Sequence, residues 1–265
     1  MRDFQIVDAN LRAAMRFFGG ATGAGEIRAL EGALAIYSGL DYGVFNIALL
    51  EGDPPSEMDG IGGFTERLAQ CARYFAPRTM RWSFWLCEDS LDASTRRRAR
   101  ALLMDRDLRP ISQAPGMLAD ELAPPARSLP KMECVPVVDR ATRQAFGALT
   151  SVSFDIPTRI AKAVYEPEQA WFGDFQGFVG LAGGKAVAIA AIVATPDALG
   201  VYSLSTLPEC RRMGYGEAML RAAVASEQAR TGIRRVVLQS TDAGYSLYRR
   251  LGFREVAKFS VYLTK

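Results

Sequence analysis

The chain has 265 residues, 49% of them apolar, enough for substantial cores and too many for an intrinsically disordered polymer. Thirty-two basic residues against 29 acidic ones leave a net charge of +3, too small and too scattered to call for a nucleic-acid or membrane partner. Histidine is absent, which excludes imidazole bases, Ser–His and Cys–His nucleophile pairs and histidine-ligated zinc. Cys71, Cys87, Cys134 and Cys210 lie far apart without a C-x-x-C pair, so they read as structural thiols and no metal site is expected. The first ten residues carry Asp3 and Asp8 and no apolar leader core, and the uncharged run at 186–194 is about half a membrane span. A cytoplasmic chain with no membrane partner is expected.

In the first half, residues 34–37 and 44–50 read as paired strands, 65–74 as a helix, 82–86 as a strand and 95–104 as a helix. Six of the thirteen prolines then fall between positions 110 and 136, a density that speaks against a long helix or a central strand there and marks a connection near 120–132. Two units are expected, 1–125 and 133–265. In the second, 140–149 and 158–165 read as helices, the latter with Asp155 as N-cap and Pro157 near its first turn. Residues 176–182 and 185–194 read as a hairpin around Gly183-Gly184, where both residues can take positive φ. A strand at 201–207 follows the Pro196-Asp197 turn, then a helix at 215–230 with an alanine- and methionine-rich stripe, a buried strand at 236–239, a helix at 243–250 and a last strand at 256–263. The order ααβββαβαβ is an α+β arrangement. The first half repeats it faintly, and Asp107-Leu108-Arg109-Pro110 stands there as Leu251-Gly252-Phe253-Arg254 stands in the second.

Chemistry concentrates where the third strand of the second unit meets its long helix. Gly214 and Gly216, one residue apart, let the backbone approach a ligand closely and aim successive N–H groups into one concavity at the helix N-terminus. That is an anion site suited to a diphosphate, with Arg211 and Arg212 at its rim. A dinucleotide G-x-G-x-x-G fingerprint fails because the third position is Met219, and a Walker loop fails because Val179 and Ala186 stand where it needs glycine and a hydroxyl.

Arg211-x-x-Gly214-x-Gly216, after a strand ending Thr206-Leu207-Pro208, resembles motif A of the GNAT superfamily of acyl-CoA-dependent N-acyltransferases. Leu247-Tyr248-x-x-x-Gly252-Phe253 resembles its motif B, and order and spacing agree over about residues 133–265. The resemblance implies a mixed, mostly antiparallel sheet flanked by helices, with two such units in tandem and the first degenerate. It implies acetyl-CoA as co-substrate: Ser205, Thr206 and Leu207 would meet the pantetheine, while Arg211, Arg212, Met213, Gly214, Tyr215, Gly216 and Glu217 would hold the diphosphate. Thr241, the remaining coenzyme-binding position that the resemblance implies, departs from the family's pattern, which commonly has asparagine there. A backbone N–H at Thr206 or Leu207 would polarise the thioester carbonyl, and Tyr248 would be the acid that protonates the departing thiolate. Asp174, Glu166 and Asp197 are base candidates by location alone.

The corresponding junction of the first half, residues 51–63, carries Glu51, Asp53, Glu57 and Asp59 and no arginine, so no coenzyme is expected there. The expected activity is transfer of an acetyl group to a small-molecule or peptide amine, with a non-catalytic acyl-CoA-binding sensor or assembly subunit as the alternative. Arg96-Arg97-Arg98 reads as a solvated helix face rather than a nucleic-acid site. Trp171, Phe172, Tyr202 and Tyr245 are candidates for an aromatic acceptor cleft. A homodimer is compatible with the sequence and not specified by it.

Overall fold

The computed structural model describes residues 1–51 and 60–265. The first half contains α1 (Asp3–Gly20), β1 (Glu26–Leu30), β2 (Ala33–Tyr37), β3 (Ile47–Leu50), α2 (Gly60–Phe75), β4 (Ser83–Cys87), α3 (Ala93–Met104) and β5 (Leu108–Ala119). The second contains β6 (Glu133–Pro136), α4 (Arg140–Phe154), α5 (Thr158–Tyr165), β7 (Phe175–Ala182), β8 (Lys185–Thr195), β9 (Ala198–Thr206), α6 (Tyr215–Thr231), β10 (Val236–Gln239), α7 (Asp242–Arg250) and β11 (Arg254–Thr264). The acidic junction at 51–63 falls, beyond Glu51 and before Gly60, outside the described residues.

Local chemistry sets most boundaries. Asp92 Oδ1 accepts from the N–H groups of Ser94 (2.8 Å) and Thr95 (3.0 Å) to start α3, and Asp139 Oδ1 accepts from Thr142 N–H (2.8 Å) to start α4. Gly183 and Gly184 take φ of +57° and +77°, closing the β7–β8 hairpin as the sequence suggests. Asp155 plays a different part from the expected one. At φ +53° it ends α4, because its N–H closes the last turn on Ser151 O, and α5 begins after Pro157 instead.

One mixed sheet runs β1-β2-β3-β4-β11-β5-β10-β9-β8-β7-β6 through the described residues. A pseudo-twofold relation organises it. β3 and β4 pair in parallel, as do β9 and β10, and the flanking pairs β4–β11 and β10–β5 are antiparallel. At the centre β5 and β11 pair antiparallel along most of their length, so each half lends its last strand to the other half's sheet. A positive-φ residue precedes each of these strands, Asp107 (φ +60°) one residue before β5 and Gly252 (φ +92°) two residues before β11.

β5 overturns the expectation that the prolines forbid a central strand. Pro110 sits at the register shift between Val261 and Tyr262, and Pro115 lies just past the end of its pairing with β10, where its carbonyl accepts from Ser240 N–H (2.9 Å). Carbonyl and nitrogen of one strand residue share an edge, so the missing N–H of Pro115 faces Ser240 just past β10 and removes one bond at the last rung of that ladder and none from its middle. Pro124, Pro125 and Pro130 do lie in the irregular connection 120–132, and Pro136 ends the edge strand β6.

Helices α2, α3, α6 and α7 cover one face of the sheet, and α1, α4 and α5 the other. Helix α1, which the reading of the sequence passed over, packs on β2 as well as on β8, β9 and β10 and so joins the two halves. Its Leu11 and Met15 enter the core with Leu34 and Ile36, while Ala14 and Phe17 enter the core with Phe146, Tyr165 and Phe175.

Candidate functional site

Strand β9 pairs with β10 only at Leu199 and Gly200, after which the two part. β10 continues to Gln239 bonded on its other edge to β5, while β9 continues to Thr206 held by β8 alone. The cause lies in β8–β9 pairing. Its register shifts between Ile189 and Ala191, so Ala190 faces both Ser203 and Leu204, and Ser203 adopts φ +50°. A bulge of this kind bends the strand that carries it. The result is a slot between β9 and β10, open towards the corner that leads into α6.

Beyond the bulge, side chains alternate. Leu204 joins the core under α6 and α7, whereas Leu207 joins the core on the α1–α4 side. Leu207 N–H donates to Val187 O (2.9 Å), so it is spent on the β8 ladder. The N–H of Thr206 faces the opposite edge, into the slot. Of the two backbone donors considered from sequence, only that of Thr206 is directed at the opening.

At the corner Arg211 Nε donates to Thr206 O (3.2 Å), Arg212 adopts φ +66° and Gly214 φ +94°. The first helical bond of α6 is Ala218 N–H to Gly214 O (3.0 Å), which leaves the N–H groups of Tyr215, Gly216 and Glu217 without helical acceptors. A Cβ on Gly216 would stand 3.3 Å from Thr206 Oγ1, so glycine keeps this concavity open. Met213 is 57% exposed, whereas Tyr215 packs partly into the core beneath α6. Glu217 forms an ion pair with Arg221 (2.9 Å), which neutralises the carboxylate nearest the helix start. Cys71 and Cys134 are held as thiols, burial raising them to about 12 and about 11, so neither offers a thiolate.

Tyr248 lies on the same face of the sheet as α6. Its ring packs edge-on against Phe253 (5.7 Å between centroids) and over Gly244, where an added Cβ would stand 2.6 Å from Cε2. The residue is 8% exposed, and burial raises its hydroxyl to about 12. Thr241 caps α7 by accepting from Gly244 N–H (3.3 Å).

The carboxylates proposed from sequence do not gather here. Asp174 and Asp197 flank the ends of β7 and β9 opposite the slot, and Glu166 caps the end of α5. The four aromatics are likewise dispersed. Trp171 is a core residue whose Nε1 donates to Tyr165 O (2.9 Å), and Phe172 is exposed. Tyr202 bonds to Asn10, and Tyr245 of α7 bonds to Glu255 of β11.

Two residues flanking the slot have polar atoms that are buried without a hydrogen-bond partner, Ser205 Oγ and Gln239 Nε2. Alternation places both on the α1–α4 side: Ser205 shares its parity with Leu207, and Gln239 shares its parity with Val237, which packs against α1. Tyr74, Trp85, Thr95 and Ser153 also carry such atoms elsewhere among the described residues, so what distinguishes these two is that they share one opening, where a polar group entering it would find both a hydroxyl and an amide. Motif matching missed Gln239 and all of α1. The signal for α1 was available as apolar residues at Ile6, Val7, Leu11, Ala14 and Met15, a helical period.

Residues 173–255 match the family described as Acetyltransferase (GNAT) domain. No curated protein matches the chain. Among solved structures, a GCN5-related N-acetyltransferase from Kribbella flavida aligns over 100% of this chain and 96% of its own at 19% identity with a TM-score of 0.70. A GNAT-family acetyltransferase structure from Novosphingobium aromaticivorans aligns over 96% of both chains at 20% identity and 0.55. A tandem GNAT protein from the clavulanic acid biosynthesis pathway aligns over 96% of this chain and 86% of its own at 12% identity and 0.60. These likenesses establish a shared fold along the whole length.

Proposed function

Because the chain carries a GNAT acetyltransferase domain within a tandem GNAT fold, we propose that it moves the acetyl group of acetyl-CoA directly onto a primary amine in a ternary complex at the β9–β10 slot. The observation that carries this reading is the parting of β9 from β10 directly above the Gly214–Gly216 corner, with Tyr248 on the same face. A strand edge freed of its partner offers backbone groups to an amide-bearing arm, and three unpaired N–H groups at a helix start suit a diphosphate. Gly216 fits such a group because it puts no side chain into the corner, and Gly214 because it takes the positive φ that turns the chain into α6 beneath Pro130.

In this reading Ser205, Thr206 and Leu207 border the pantetheine, and Arg211 to Glu217 surround the diphosphate. Thr206 N–H is the donor to the thioester carbonyl as it gains negative charge. The neutral amine attacks the carbonyl carbon, the C–S bond breaks, and Tyr248 passes its proton to the departing sulfur while the ammonium loses one to water. A phenol whose proton is held to about pH 12 is always in the protonated form needed for that role at neutral pH. The acceptor enters from the α1–α4 side, past Ser205 and Gln239. The same reading takes 133–265 as the catalytic unit and 1–125 as a unit without a coenzyme site. Each of these units is completed by the other's last strand, so activity belongs to the whole chain.

Thiol release from acetyl-CoA, measured with the full chain against amines, amino acids and peptides, tests the proposal. Amine-dependent release supports it. Tight acetyl-CoA binding without release for any acceptor would favour the non-catalytic sensor, and absence of binding would remove both.

A further inference from the structure

The connection between the two units does not merely span them. Ala123 N–H donates to Leu251 O (2.9 Å), and Ala123 O accepts from Arg221 Nη2 (2.6 Å), which docks the chain between the end of α7 and the side of α6. Farther on, Met132 packs against Gly180 and Met219 in the core beneath α6. Between these two anchors the connection passes the glycine corner. A Cβ on Gly214 would stand 3.0 Å from Pro130 Cδ and 3.6 Å from Arg127 Nη2. Arg127 is exposed and has no ion pair or hydrogen bond among the described residues. The surrounding charges are Arg211 and Arg212, both exposed, with Glu209 on the rim and Glu217 already neutralised by Arg221.

An arginine kept free of carboxylates beside unpaired helix N–H groups has the geometry and charge to take a phosphate through its planar fork. We propose that Arg127, supplied by the connection between the units, is a ligand of the coenzyme diphosphate at the Gly214 corner. This rests on the acetyl-CoA reading above and adds to it a residue outside both motifs and outside the matched domain. It also gives the connection a task. A segment that joins two units then closes the rim of the site in one of them.

Equilibrium titration of the full chain with acetyl-CoA, 3′-dephospho-acetyl-CoA and S-acetylpantetheine provides the test. Arg127→Gln should weaken the first two by about tenfold each, as expected for loss of one charge-assisted contact, and leave S-acetylpantetheine unchanged. Arg127→Lys should recover part of the loss. An unchanged acetyl-CoA affinity in a variant that melts like the parent would overturn the proposal while leaving acetyl-CoA binding in place. A loss confined to acetyl-CoA would also overturn it, assigning the arginine to the 3′-phosphate. If the parent chain binds none of the three, the acetyl-CoA reading fails first and this proposal with it.

Discussion

Tyr202 on β9 donates its hydroxyl to Oδ1 of Asn10 on α1 at 2.7 Å, a bond between residues 192 positions apart that ties the candidate slot to the first helix of the chain. Asn10 Nδ2 completes the link by donating to Val193 O (3.0 Å) and Ala198 O (3.1 Å). Gly200 makes the approach feasible, since a Cβ there would overlap Asn10 Oδ1 at 1.7 Å. Asn10 is fully buried, so its amide is the chief polar contact through which α1 grips β8 and β9.

Asn10→Ala should therefore deprive a buried phenol of its acceptor and the Val193 carbonyl of a donor, while Ala198 O keeps Thr195 Oγ1 (3.1 Å), and lower stability by roughly 3 kcal/mol. Because β5, β11 and α1 all cross between the halves, urea denaturation should show one cooperative transition in both proteins, shifted to lower urea in the variant. Two separated transitions in the parent protein would contradict the interlocked sheet.

Tyr248→Phe keeps the ring contacts with Phe253 and Gly244 and removes only the hydroxyl. If the phenol protonates the leaving thiolate, kcat should fall by about 10²-fold with acetyl-CoA affinity nearly unchanged. The pH profile adds a second check. Burial raises this hydroxyl, so its proton stays on as pH increases, and the parent protein should show no loss of rate from its deprotonation below about pH 11. A descending limb centred near pH 9 that disappears in the variant would assign the tyrosine a lower affinity for its proton than its burial implies.

Ser205 Oγ and Gln239 Nε2 give a prediction in which structure and function pull apart. A buried amide without a partner destabilises the fold, so Gln239→Leu should leave the melting temperature unchanged or raise it. If the amide serves the acceptor, KM for the amine should rise several-fold while acetyl-CoA affinity is kept. Ser205→Ala should behave alike. A normal KM in both variants would show that the two atoms are tolerated packing faults and have no role in recognition.

How far this could be read from the letters depends on the range of the interaction concerned. Gly183-Gly184, the 236–239 strand and the helix starting at Tyr215 are set by turn chemistry and apolar period, which are local, and the structure has them where the sequence suggests. The duplication shows more loosely: a positive-φ residue precedes each last strand, but Asp107 stands one residue before β5 and Gly252 two before β11, so the turns the sequence set side by side are offset by one residue. The exchange of β5 and β11 was not legible, because it rests on pairing between residues well over a hundred positions apart and on prolines that fall at a register shift and at the end of a ladder, where they cost little. At the site, Gly214, Gly216 and Tyr248 announce themselves through motif spacing. Gln239, Asn10 and Arg127 do not, as each acquires its place through a neighbour distant in sequence.

Asp8, also on α1, gives a pH-dependent test of this helix. It pairs with Arg12, yet burial outweighs the guanidinium and raises the carboxyl from 3.8 to about 6. Tyr202 and Cys87 also face it, and both are held neutral by burial. A folded-state value above the unfolded one means that the native protein binds the proton more tightly, so this group's contribution to stability is greatest below about pH 4 and is lost as pH rises through 6. The shift corresponds to a loss of roughly 3 kcal/mol at most. Asp92, Asp120 and Asp139 are lowered by their hydrogen bonds and act in the opposite direction, which hides the trend in the parent protein alone. Asp8→Asn removes one titration and leaves the others in place. The stability difference between parent and variant, from denaturant midpoints at a series of pH values, should therefore move against the parent between pH 4 and 6.5 and level off above. A difference that stays flat across that window would mean that Asp8 is solvated enough to ionise normally, and that α1 does not close over it.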